Sequence, residues 1–137
     1  MTNQAQILLN GLARSAVGLT ALTRPTPIIR LAGVDRVTAE KTAWIARLTG
    51  IRDLVLGIGL LHAHATGGPT RTWLVAGLCS DTADTAVLAH ATANGQLPVG
   101  YGTAMIAAAG GGAALAVRTL TATHPSSGVE QTANPPR

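Results

Sequence analysis

Apolar positions gather into four long blocks, at residues 6–22, 44–64, 72–91 and 97–120, with polar residues collected between them. Each block is close to the ~20 residues that a helix needs to cross the hydrocarbon layer of a membrane. The connections differ in kind. Residues 24–41, RPTPIIRLAGVDRVTAEK, are basic and carry two prolines, whereas ATGGPTR and TANGQ are short turns. The pattern predicts an all-α chain: an antiparallel four-transmembrane-helix bundle over residues 1–122, with a basic interfacial loop after the first helix. Residues 123–137, polar and Pro-rich, read as a disordered tail.

The first block has no positive residue ahead of it, and Arg14 interrupts it. It therefore reads as a retained helix rather than a cleaved leader. In the basic segment, Ile28, Ile29, Leu31, Ala32 and Val34 alternate with Arg30, Arg36 and Lys41, the composition of a stretch lying along anionic headgroups. Trp44 and Trp73 open the second and third blocks and Tyr101 lies near the start of the fourth, where aromatic rings anchor helix ends. Four basic residues in the segment 24–41 against Arg71 alone in the next connection place the basic loop in the cytoplasm and both termini outside.

Charges inside apolar blocks are the chemistry that needs explaining. Arg14, Arg52, Asp53, Asp81 and Asp84 all fall 8–12 residues from a predicted helix end, so four antiparallel helices would bring them to one height. An isolated charge at that depth costs about 2.5–3.5 kcal/mol, so these residues should face inward and pair. Arg52 points about 100° away from Asp53 around a helix. The expectation is that these neighbours do not neutralise each other, and that Arg14 and Arg52 serve Asp81 and Asp84, which share one face. Two guanidinium groups then oppose three carboxylates, leaving one negative charge for Arg47 to meet from the helix end or for a shared proton to cancel.

Small residues mark where helices can approach closely. Gly11 and Gly18 flank Arg14 on one face, and Gly50 and Gly57 flank Asp53 on another. Gly100, Ala104, Ala108, Gly112 and Ala116 recur every four positions in the last block. In lipid such seams let helices pack backbone to backbone.

Composition removes several functions. Of 137 residues, 47% are hydrophobic and 12% charged, about half the ordinary charged share of ~25% for a soluble domain. The net charge of +4 is not concentrated on one face with stacking aromatics, so nucleic acid is not expected as a partner. The single Cys79 allows no internal disulfide, and no Cys/His spacing suggests a metal site. His62 and His64 close the second helix and His90 closes the third, which runs the other way, so they cannot share a haem. No cofactor and no catalytic residue is expected. A soluble Ala-rich bundle is the alternative, because WLVAGLCSDTADTAVLAHAT is only weakly hydrophobic.

The string G-x-R-D-L-x-L-G at positions 50–57 and the pair in SDTAD, Asp81 and Asp84, together with a small-residue last helix, resemble a class of small four-helix membrane proteins of bacteria, common in high-GC actinobacteria and known as a domain of unknown function. In size and layout the chain is also similar to the DoxX-like group. The resemblance covers about residues 5–120 and implies a fold and a place in the cell membrane, with no activity attached. The sequence reading is thus a multi-pass membrane protein in contact with the lipid bilayer, acting as a binding or accessory subunit, with a second copy or another membrane protein as its partner. The runner-up is a small proton-coupled carrier using Asp81 and Asp84; a membrane enzyme ranks third.

Overall fold

In the computed structural model, which describes residues 2–122, the chain is all helix: α1 (Asn3–Thr23), α2 (Pro25–Arg30), α3 (Arg36–Ala65), α4 (Thr70–Ala93) and α5 (Val99–Ala122). The tail expected at 123–137 lies outside the described residues. Thr2 caps α1, its hydroxyl accepting from the Ala5 amide at 3.3 Å. Arg24 breaks the helix because the residue before a proline is pushed out of helical geometry, and Pro25 then opens α2, where its missing N–H costs nothing. The loop expected after the first helix is therefore partly helical.

α3 begins eight residues earlier than its apolar pattern. Asp35 accepts from the amides of Val37 and Thr38 at 2.9 and 3.1 Å, so the first turn is stabilised by capping, with small Ala39 buried beneath it. Arg36 and Glu40 then pair along it at 2.7 Å. α3 and α4 end alike. Gly67 and Gly95 take φ of +68°, and the amides after them reach back to the carbonyls of Ala63 and Ala91 at 2.7 and 2.9 Å. This is the left-handed cap that glycine allows at low cost.

The four long helices form a ring in the order α1, α3, α4, α5, with α2 laid against α1 and α3. α1 and α3 meet backbone to backbone. A Cβ on Gly18 would lie 2.6 Å from the Gly50 carbonyl, one on Gly50 2.8 Å from the Gly18 carbonyl, and one on Gly57 2.8 Å from the Gly11 carbonyl. Those four glycines are the seam that their spacing suggests. The ladder on α5 behaves differently. Gly112 faces Asp81 and Ala116 is 1% exposed, whereas Gly100 meets open space and Ala104 is exposed. A step of four residues turns 400°, so the line drifts about 40° per step and leaves the packed face. Gly102, against Thr92, takes up the contact instead.

Burial is inverted relative to a water-soluble bundle. The large apolar side chains that are buried are Ile7, Leu60 and Leu74, with Trp73 and Leu120 packed on them. Leu8, Leu9, Leu12, Val17, Leu19, Leu48, Ile51, Val55 and Ile58 all face outward, at 42–59% exposed. Inside are glycine, alanine and the polar residues Asn10, Asp81 and Thr119. Among the described helices, α5 is long and apolar enough on its own to cross a membrane. The other three long helices carry more charged and amide residues.

Candidate functional site

Three helices, α1, α3 and α4, deliver one polar cluster at their middle. Arg14, on the glycine-flanked face of α1, reaches across the ring. Its Nη1 donates to Asp53 Oδ1 on α3 at 3.2 Å, and its Nη2 makes a short contact with Asp81 Oδ2 on α4. Arg52 lies further out on α3 and grips Asp84 with two parallel bonds, Nη1 to Oδ1 at 3.0 Å and Nη2 to Oδ2 at 2.6 Å. That fork is the strong form of a guanidinium–carboxylate pair. The Arg14 and Asp81 side chains are each 9% exposed and Asp53 14%, against 37% for Arg52 and 33% for Asp84. The cluster thus has a buried inner pair of bridges and an outer one open to the surroundings.

Two sequence expectations are corrected. Arg52 does engage its neighbour: Nε and Nη2 lie 3.3 and 3.2 Å from Asp53 Oδ1. Helical angles describe where a side chain starts, and a long arginine arm can fold back across 100°. Arg47 does not join. It is exposed and makes no ion pair among the described residues, because six residues of helix turn it about 120° from Asp53. Two guanidinium groups therefore face three carboxylates, Asp53 Oδ1 carrying bonds from both arginines.

Beside the inner bridges lies a cavity of about 200 Å³. Arg14, Asp53 and Asp81 form its polar wall, Leu88, Met105 and Leu115 its apolar wall, and Ala108, Ala109 and Gly112 of α5 leave the room. Asn10 also lines it. That residue is 7% exposed, and its side chain has no hydrogen-bond partner among the described residues. Sequence reasoning passed it over, although it stands four residues before Arg14 on the same helical face. Asp84 is not in the wall.

The remaining chemistry is sparse. Among the described residues no three His, Cys, Asp or Glu come together as a metal site would require. His62 and His64 sit in the last turn of α3 and His90 in the last turn of α4, at opposite ends of an antiparallel pair. Cys79 is exposed and free. The cavity, with net negative charge and an amide wanting a partner, is suited to a proton or a small hydrogen-bonding guest.

No protein-family model, curated protein or solved structure matches this chain.

Proposed function

We propose that the chain is a small multi-pass membrane protein, with α1, α3, α4 and α5 crossing the bilayer, and that it works as a binding subunit with its site in the cavity beside Arg14, Asp53 and Asp81. The observation that carries the membrane placement is the inverted burial: leucine, isoleucine and valine outward, glycine, alanine and ion pairs inward. In water that arrangement would forfeit the burial that drives folding; in lipid it costs nothing and satisfies the rule that intramembrane charges face the bundle interior. Outward threonines fit as well. Thr20, Thr49 and Thr82 donate to the carbonyls four residues back, at 2.7, 3.2 and 2.7 Å, which pairs these three outward hydroxyls within their own helices. At ~1.5 Å per residue α3 is longer than a ~30 Å hydrocarbon core requires, so its polar first turns stand outside.

The excess of Arg24, Arg30, Arg36 and Lys41 at one end puts that end in the cytoplasm. Alkaline carbonate extraction of cell membranes tests the placement: the chain stays with the lipid, and release into the wash rejects it. In a Cys79→Ala background, an impermeant thiol reagent applied to intact cells should label Thr66→Cys and spare Gln96→Cys. The opposite pattern reverses the orientation.

A second reading, a small proton-coupled carrier, is favoured by one observation, that the cavity reaches the inner carboxylates. In it Asp81, lining the cavity, carries the proton. Asp84, clasped by Arg52 outside that wall, contributes to packing. Proteoliposomes with an enclosed pH dye separate the two readings. A carrier acidifies the lumen under an imposed gradient, loses this with Asp81→Asn and keeps it with Asp84→Asn, whereas a binding subunit shows no flux in the unaltered chain.

A further inference from the structure

We propose that the cytoplasmic end of the bundle holds one anionic phospholipid, its headgroup on Arg30 and an acyl chain in the slot between α2, α3 and α5. This rests on the membrane placement above. The slot has a volume of about 360 Å³ and is walled by Ile28, Ile29, Ile45, Ala46, Leu97 and Tyr101. On the other face of α2 is a polar hollow of about 450 Å³ bounded by Thr26, Pro27, Arg30, Arg36 and Glu40. α2 divides the two, turning its isoleucines to one and Arg30 to the other.

The order along α3 decides what fits. Arg36 and Glu40 border the hollow, and apolar Ile45 and Ala46 border the slot beside Thr42 and Thr49, whose hydroxyls are turned back onto helix carbonyls. At ~1.5 Å per residue the apolar group lies roughly 10 Å deeper. Polar outside and apolar inside along one axis is the order of a phospholipid. A peptide or a second copy of the chain has no reason to repeat it. Charge selects among lipids. Arg36 is held by Glu40 at 2.7 Å, but Arg30 is exposed and makes no ion pair among the described residues. Arg24 and Lys41 add to the positive field, and basic pockets at the cytoplasmic face are where anionic headgroups bind.

The test uses the full chain purified in a mild non-ionic detergent, with native mass spectrometry after addition of phosphatidylglycerol or phosphatidylcholine of the same chain length. The expected result is one retained phosphatidylglycerol in preference to phosphatidylcholine. Arg30→Gln, a surface change, should cut that preference about fivefold, from the ~1 kcal/mol that one basic residue contributes near an anionic surface. Arg118→Gln, at the far end of α5, should leave it unchanged. Ala46→Phe, filling the slot, should reduce retention of both lipids, whereas free glycerol phosphate should displace neither. Equal retention of the two lipids, or a preference that survives Arg30→Gln, overturns the headgroup assignment, and full retention by Ala46→Phe overturns the slot. A chain that washes off membranes in carbonate refutes the membrane placement instead, whatever lipid it retains.

Discussion

Where α1 and α5 meet the end of α3 and the start of α4, Ile7, Leu60 and Leu74 are at most 5% exposed, with Trp73 and Leu120 closing over them. At the opposite end, Ile28, Ile29, Ile45 and Tyr101 surround an opening of about 360 Å³. The same four helices build both ends, so the difference lies in what their side chains can reach. The closed end has large apolar residues pointing inward from three helices. The open end has its large residues on α2, on the outward face of α3 and at the start of α5, with small Ala21 and Ala46 among them. Shape is held at one end by packing and left available at the other, with the ion cluster as the waist between them.

The strongest way to break this division is at the waist. Arg14 is the described side chain that ties α1 to α4 by an ion pair, and it bridges two carboxylates that are 9–14% exposed. Arg14→Leu leaves both without their shared partner, and breaking a buried pair costs about 3–5 kcal/mol. Thermal unfolding in detergent, followed by circular dichroism, should show the largest loss of any single change at the cluster. If Arg52→Leu destabilises as much, the inner and outer bridges are not distinct.

A smaller effect compares the two ends directly. Leu60, at 2% exposed, is seated against Ile7 and Leu74; Leu60→Ala should cost about 2 kcal/mol, at the low end for core truncations. Ile45→Ala, at a side chain 50% exposed, should stay within about 0.5 kcal/mol. Equal losses would mean that the open end is packed after all.

The outer bridge should give less again. Arg52 and Asp84 are each about one-third exposed, and a double-mutant cycle with Arg52→Leu and Asp84→Asn should return a coupling of about 1 kcal/mol. Strict additivity would show that the fork contributes nothing to stability and leave Asp53 as the effective partner of Arg52.

How much of this was legible in the sequence follows from which property each feature depends on. The charged waist was legible because depth along a helix is a matter of counting, and Arg14, Arg52, Asp53, Asp81 and Asp84 do meet. The α1–α3 seam was legible because Gly11, Gly18, Gly50 and Gly57 keep to one face over only two turns. The α5 ladder was less so, since its longer run drifts off the face. The Arg52–Asp53 contact was hidden by side-chain reach, and Asn10 by the habit of weighing charges above amides. The start of α3 was hidden because a cap and the burial of small Ala39 and Ala43, not a run of large apolar residues, set it.

That capped start, at the edge of the open end, yields the mildest prediction, and its sign can be worked out. Asp35 is exposed, and the Thr38 hydroxyl first, then the backbone amides of Thr38 and Val37, hold its carboxyl below the ordinary value of 3.8. A group with a depressed folded value stabilises the fold above its unfolded value and loses that contribution as pH falls through the folded one. Acidification below about pH 4 should therefore loosen the first turn of α3 while leaving the closed end intact. Amide hydrogen exchange reads this at Val37 and Thr38, which should lose protection, with Leu60 and Leu74 as unmoved references. Asp35→Asn keeps an oxygen that can accept from the same amides but has nothing to titrate, so its protection at Val37 and Thr38 should be flat across the same range. A parallel loss in the Asn variant would trace the effect to another group, and a loss that spread to Leu60 would show that the two ends unfold as one unit, ending the comparison.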